Sequence, residues 1–450
     1  MKNTARDEDE ESGDGQTGMT TRIERRFLML QGPHGPFFSQ LGRMLREAGA
    51  QVWRVGFNRG DELFWRGPGY IPWLGRPEDW PAEAERLVRE LGITDLVVYG
   101  DARPIHAQAI AVARARGITV HVFEEGYLRP YWVTYERGGS NGNSRLTRIG
   151  LDQMRRAVEL CDREQPRPPA RWGDMRQHMF YGALYHFAVM ALNRRYRNFR
   201  PHRGISVTRE FRLYLRRLLL APLHAIERRA ATWRVKRGGF PYHLVLLQLE
   251  HDSSFQAHSD LRSMTEFVDL CLEAFARGAA GHHHIVFKAH PLEDDRAAIA
   301  RHLRHRAREL GIAGRVHFIR GGKLAPLLDS ARSAVTVNST AGQQALWRGL
   351  PLRSFGRAVY NFPEFVSSQP LDLFFAAPKR PDTRAYRDYR QFLLETSQVA
   401  GGFYSARGRR QLLRQVVDMM LSAEDPYDAL VAGRAQPRIH VPALDARLWH

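Results

Sequence analysis

The strongest constraint on this chain is an alternation that runs through it twice. Short apolar runs trade places with helical patterns from residue 26 onward. "RFLMLQ", "QVWRVGF", "DLVVYG" and "ITVHVFE" read as strands, with "FFSQLGRMLREAG", "PAEAERLVRELG" and "IHAQAIAVARARG" as helices. Apolar strands joined by helices dictate a parallel sheet covered on both faces. The pattern breaks over residues 151–237, which are basic, helical and interrupted by "QPRPPARW". It restarts with the strands "YHLVLLQ", "HHIVFKA", "VHFI", "SAVTVN" and "PLRSFG". The expectation is an α/β chain of two Rossmann-like, doubly wound domains facing across a cleft. They take residues 23–150 and 238–380, with a basic helical insert at 151–237 and C-terminal helices and tail at 381–450. The helical pattern over 384–422 is expected to pack across both domains.

The composition supports two real cores, since 43% of the 450 residues are hydrophobic. Two cysteines, Cys161 and Cys271, build neither a disulfide framework nor a cysteine metal site, and fit a reducing cytoplasm. Residues 1–22 read as an acidic disordered tail without the apolar segment of a signal peptide. No apolar run approaches the roughly 18 residues that span a bilayer. A net charge of +19 implies polyanionic company. The charge is concentrated: Arg194–Arg237 holds 14 Arg/Lys against two acids, Glu210 and Glu227. Interleaved with leucines, this segment reads either as an amphipathic helix on a membrane surface or as a solvated linker packed on a domain. No nucleic-acid module accompanies it.

In open parallel sheets, ligands bind outside the carboxyl ends of the strands, and there the polar clusters of this chain fall. "FEEGYLRP" offers Glu124 and Glu125 beside Gly126, which lets another group come close. Retaining glycosyl transfer by double displacement needs such a carboxylate as nucleophile; the plain alternative is a salt bridge to Arg129. "LQLEHDSS" carries Gln248, Glu250, Asp252 and Ser253, donors and acceptors suited to a base, ribose or sugar. "FKAHP" puts Lys288 and His290 before Pro291, able to bind a phosphate or protonate a leaving group, or simply to form a surface turn. "NSTAG" sets Asn338, Ser339, Thr340 and Gly342 at an expected helix N-terminus, favourable to phosphate or merely an N-cap. "GPHGPFF" places His34 and Gly35 in a loop after the first strand. It is not a GxGxxG pattern, which disfavours a nicotinamide cofactor. Consecutive histidines in "GHHH" alternate faces on entering a strand, so no metal is expected.

These stretches, with "GFNRGDELFW", "YWVTYERGGSNGNS" (which includes Asn141), "ALWRGLPLRSFGRAVYNFPEF" and "LDLFF", resemble the capsule polysaccharide biosynthesis/export family of the KpsS/LipB type. The resemblance runs from about Arg26 to Ser405. It implies a GT-B-like glycosyltransferase that moves 3-deoxy-D-manno-octulosonic acid (Kdo) from CMP-Kdo to a lysophosphatidylglycerol, starting the poly-Kdo linker of a Gram-negative capsule. Residues 23–150 are then the acceptor domain, with His34, Gly35, Arg129 and Asn141 on that side. Residues 238–380 are the donor domain, with Gln248, Glu250, Asp252, Lys288, Pro291, Asn338, Ser339, Thr340 and Gly342 near CMP-Kdo. Glu125, where larger Kdo transferases carry aspartate before Gly-Phe, is the implied nucleophile, with Glu124 and His290 as further catalytic groups. The implied partners are CMP-Kdo, an anionic lysophospholipid, the inner-membrane surface and other capsule synthesis and export proteins, without a cofactor and without nucleic acid. The expected place is the cytoplasmic face of the inner membrane. Two other readings stay open: a non-catalytic scaffold for export, and an epimerase-like enzyme acting on a nucleotide sugar.

Overall fold

The structure, a computed structural model, describes residues 24–159, 161, 174–200, 207–291, 293 and 298–435. The expected tail at 1–22 and the proline-rich stretch at 165–172 lie outside them.

The first sheet contains β1 (Arg26–Met29), β2 (Gln51–Gly56), β3 (Tyr70–Pro72), β4 (Asp95–Tyr99), β5 (Thr119–Glu125) and β6 (Trp132–Arg137). Strands β1 to β5 pair in parallel, joined by α1 (Phe37–Glu47), α2 (Arg59–Leu63), α3 (Trp80–Glu90) and α4 (Pro104–Ala115). Strand β6 turns back antiparallel on β5. This departs from the all-parallel expectation, because only six residues separate β5 from β6 and a parallel crossover needs a dozen or more.

The second sheet holds β7 (Tyr242–Leu246), β8 (His284–Lys288), β9 (Val316–Ile319), β10 (Ser333–Thr336) and β11 (Leu352–Ser354), all parallel, in the order β11-β10-β7-β8-β9. Between the sheets run α5 (Leu151–Val158), α6 (Asp174–Ala191) and α7 (Val207–Arg237). The second domain adds α8 (Ser253–His258), α9 (Met264–Gly278), α10 (Ile299–Glu309), α11 (Ala325–Leu328), α12 (Gly342–Trp347) and α13 (Leu371–Ala376). The chain then forms α14 (Thr383–Glu395), strand β12 (Gln398–Ala400), α15 (Ala406–Leu421) and α16 (Pro426–Val431). This is the expected class: two Rossmann-like α/β units, each a sheet with apolar clusters on both faces.

Two expectations about the joints need correction. Helix α5 does not belong to the basic helical insert expected at 151–237: Leu151, Met154 and Val158 are buried with Tyr389 and Phe392 in the core of the second domain. The helical pattern over 384–422 is interrupted by β12, which crosses back to pair antiparallel with β6 in the first sheet. Helix α15 then packs Leu412, Val416 and Met420 beside Phe37 and Leu41 of α1. Each such side chain, fully buried, stabilises the fold by about 1.5–3 kcal/mol. Gln398 secures the return, its buried side-chain carbonyl accepting the Tyr127 and Leu128 N–H groups at 2.9 and 3.3 Å.

The cleft and its charged groups

Strand β5 carries both glutamates to its carboxyl end, and strand geometry turns them to opposite sides. Glu125 is half-buried, and its Oε1 accepts the hydroxyls of Tyr99 at 3.2 Å and Tyr404 at 3.3 Å. Tyr404 is stacked on His178 of α6, rings 4.1 Å apart and nearly parallel. Glu124 folds back so that Oε1 accepts the Glu125 N–H at 3.1 Å. Burial pushes its carboxyl up to about 7; the negative charges of Asp252 and Glu125 add to the shift, while the Glu125 N–H and Arg103 oppose it. Asp252 comes from the second domain, so the charge of that domain reaches Glu124. The seam closes nearby, where His258 of α8 sits against Gly142: a Cβ there would lie 2.5 Å from its Nδ1.

Gly126 has another explanation than the one expected. A Cβ at this position would lie 2.2 Å from the backbone oxygen of Trp132. The group that comes close is the chain's own β6, not a ligand. Arg129 is exposed and its Nε donates to the Gly126 carbonyl at 3.3 Å. Asn141 lies in a short 3-10 turn, its N–H donating to the Tyr127 hydroxyl at 2.6 Å.

A second cluster is cationic. Lys288 ends β8 almost wholly buried, and burial lowers its ammonium to about 8, with repulsion from Arg228 of α7 as the further cause. After β9 the chain makes a turn through Gly321 and Gly322, both at positive φ. A Cβ on Gly322 would lie 2.8 Å from Arg228 Cδ, and one on Gly321 3.2 Å from Pro291 Cα. Only glycine allows this backbone to lie so close. The loop thus gathers Lys288, Pro291 and Arg228, beside half-buried His290. Among the described residues no carboxylate contributes to the shift on Lys288.

Other expected donor residues serve the fold. Gln248 and Asn338 hold each other: Gln248 Nε2 donates to Asn338 Oδ1 at 2.8 Å, and the Asn338 N–H donates to Gln248 Oε1 at 2.9 Å. Both are buried. Glu250 accepts the Met264 N–H at 2.9 Å ahead of α9. Asp252 caps α8 through the Ser254 N–H at 3.1 Å, while its charge also acts on Glu124. Helix α12 has six residues and starts at Gly342. Its opening N–H groups are engaged, since Ala341 donates to Ser339 Oγ, Gly342 to the Ser339 carbonyl and Gln343 to that of Thr340. The "NSTAG" stretch is therefore a tight turn with its own hydrogen bonds, and phosphate-binding N–H groups are not spare at 341–343.

On the first domain, His34 stacks on Tyr185 of α6 at 4.3 Å, and a Cβ on Gly35 would lie 3.1 Å from Tyr181. The "GPHGPFF" loop is thus covered by α6. Sequence reasoning missed Tyr99, Arg103, His178, Arg228, Gly321, Gly322 and Tyr404. Tyr99 is the last residue of β4 and opens the "YGD" stretch, so it was within reach; Tyr404, far along the chain, gave no local signal. Among the described residues no three His, Cys, Asp or Glu side chains converge to hold a metal ion.

A family model described as capsule polysaccharide biosynthesis protein matches residues 94–404. The chain is 29% identical over 381 residues to the capsule polysaccharide export protein KpsS of Escherichia coli, covering 84% of this chain and 97% of that protein. It is 28% identical over 382 residues to the capsule polysaccharide modification protein LipB of Neisseria meningitidis serogroup B, covering 84% and 91%. Among solved structures it is similar to the β-Kdo 2,7 transferase of Thermosulfurimonas dismutans KpsC, with a TM-score of 0.42 and 12% identity over 88% of this chain and all of that one.

Proposed function

The chain belongs to the capsule polysaccharide biosynthesis protein family, and from that premise we propose that it is a retaining β-Kdo transferase. It moves Kdo from CMP-Kdo to an anionic lysophospholipid, lysophosphatidylglycerol, to start the capsule linker. The observation that carries this reading is the pair of glutamates ending β5, one held by two tyrosine hydroxyls and one with its carboxyl pushed up to about 7. Two carboxyls with unlike surroundings suit unlike roles.

In the first displacement a Glu125 oxygen attacks the anomeric carbon, and CMP departs with the electron pair of the broken C–O bond. Lys288 and Arg228 offer positive charge to the departing phosphate, with the His290 imidazole beside them as a hydrogen-bonding group. In the second, the acceptor hydroxyl attacks the same carbon, its proton passes to the Glu124 carboxylate and the Glu125–sugar bond breaks. Two inversions leave the configuration unchanged.

The enzyme works at the inner face of the cytoplasmic membrane. No helix among the described residues is long and apolar enough to cross one. Helix α7 turns Leu219, Leu223, Ile226 and Trp233 outward along one face, all exposed, while Val235 is buried against the second domain. A helix that merely bridged domains would bury its large apolar residues. An outward apolar stripe among Arg229, Arg234, Lys236 and Arg237 suits an anionic bilayer surface. The test is to incubate the full chain with CMP-Kdo and lysophosphatidylglycerol and weigh the product. A mass gain of one or more Kdo units is the expected result. Release of free Kdo alone, or an unchanged lipid, would overturn the reading, and an altered nucleotide sugar without lipid product would favour an epimerase.

A further inference from the structure

A pocket of about 470 Å³ opens on the first domain between α1, α2 and α6, within the roughly 300–1,000 Å³ of ligand sites. Its lining is mixed, with Leu63, Phe64, Phe180 and Leu184 as its large apolar residues and Ser39 and Gln40 as polar ones. Arg43 and Arg66, both exposed, belong to the same lining, and the lining contains no acid. Phe180 is also one of the exposed apolar residues of α6, with Met175, Met179 and Phe187, so the pocket opens beside an outward apolar surface. Its inner wall leads to the glutamates. Arg409 lies over the Tyr181 ring at 5.8 Å and donates to the backbone oxygen of Tyr404, whose hydroxyl holds Glu125.

We infer that this pocket holds the single acyl chain of the anionic lysophospholipid acceptor, with Arg43 and Arg66 drawing its phosphate. The inference rests on the transferase reading for the identity of the lipid. The apolar part of the lining, Leu63, Phe64, Phe180 and Leu184, suits a hydrocarbon chain. Two arginines with no lining carboxylate complement an anionic head; the Arg43 contact to Glu47, 3.6 Å between exposed groups, competes weakly. One chain rather than two fits the volume. A relay of contacts through Tyr181, Arg409 and Tyr404 connects the pocket wall to Glu125.

The experiment measures binding of dansyl-labelled lysophosphatidylglycerol and lysophosphatidylcholine to the full chain, below micelle-forming concentrations. The wild type is expected to prefer the anionic lipid. Arg43→Ala/Arg66→Ala removes that preference, a loss of about 30-fold at roughly fivefold per arginine. Leu184→Trp fills the pocket and weakens both lipids at least about tenfold, the effect of losing roughly two buried methylenes. CMP affinity, measured by calorimetry, is unchanged in both variants. Equal binding of the two lipids by the wild type, or wild-type binding by the double arginine variant, overturns the inference; the latter changes only surface residues and decides the matter if Leu184→Trp fails to fold. Lipid binding that maps to the pocket in a protein unable to transfer Kdo would leave the pocket standing and sink the transferase reading instead.

Discussion

Glu124 and Glu125 are neighbours in sequence and opposites in surroundings, and that difference yields a test. Glu125→Gln keeps the size and the tyrosine contacts but removes the attacking charge, so transfer is expected to fall by orders of magnitude while CMP-Kdo still binds. Glu124→Gln is expected to cost roughly 10²–10⁴-fold and to let a Kdo adduct on Glu125 accumulate, visible by intact mass. Because Glu124 accepts a proton only when ionised, wild-type kcat/KM is expected to decline as pH drops through about 7, and this limb vanishes in Glu124→Gln. Near-normal turnover by Glu125→Gln with a dead Glu124→Gln would exchange the two roles. Lys288 gives a second pH signature. Its folded-state pKa is lowered to about 8, so the free protein sheds this proton just above neutrality. A phosphate favours the charged form, so CMP affinity is expected to fall as pH rises through about 8. Calorimetry on Lys288→Met should find weaker binding without that pH dependence.

At the scale of elements, α7 joins two surfaces. One face brings Arg228 to the loop at Gly321–Gly322, and the other turns Leu219, Leu223, Ile226 and Trp233 outward. Leu223→Glu/Trp233→Glu is expected to cut sedimentation with phosphatidylglycerol vesicles at least about tenfold, since each residue, if buried in the bilayer interface, contributes about 1.5–3 kcal/mol. The wild-type interaction should weaken as salt rises. Indifference to both changes would return α7 to the role of a linker. This two-faced character was only half legible in the sequence: the mix of leucine and arginine was plain, but which side faced the domain depended on Val235 finding a core. The central strands were legible because apolar runs punctuated by turns leave few alternatives. Strand β12, three residues long, carries too little pattern to stand out between two helices. Local reading also misassigned Gly126, because the atom that excludes a side chain there belongs to Trp132, six residues on and folded back. The "NSTAG" turn misled for the same reason: its donors are used by partners that only the folded turn supplies.

Across the molecule, burial of charge at the joints makes stability depend on pH. Glu136 on β6 is buried, and burial pushes its carboxyl up to about 8, while Ser144, which donates to Oε2, and the Tyr127 and Tyr427 hydroxyls oppose the shift. A carboxyl raised in the folded state keeps its proton there while the unfolded chain loses it. The folded protein is therefore favoured below about pH 4.5 by this group and loses that advantage as pH rises through 8. Glu124 acts in the same direction up to about 7. Buried histidines act the other way below about pH 6.5, burial lowering His243 to about 3 and His317 to about 4, so the unfolding free energy from urea titration is expected to decline between pH 6.5 and 8, by up to about 1.4 kcal/mol per unit for each glutamate still protonated. Glu136→Gln should flatten much of this slope; an unchanged slope would place the Glu136 titration elsewhere.

The return of β12 to the first sheet also sets an order of events during synthesis. Strand β6 ends at Arg137, and its partner begins at Gln398, about 260 residues later. At roughly 5–20 residues per second, one side of β6 waits unpaired on the ribosome for about 13–50 s. An open strand edge is a template for pairing with other chains. The nascent first domain thus carries a temporary adhesive margin, sealed only when Gln398–Ala400 have emerged.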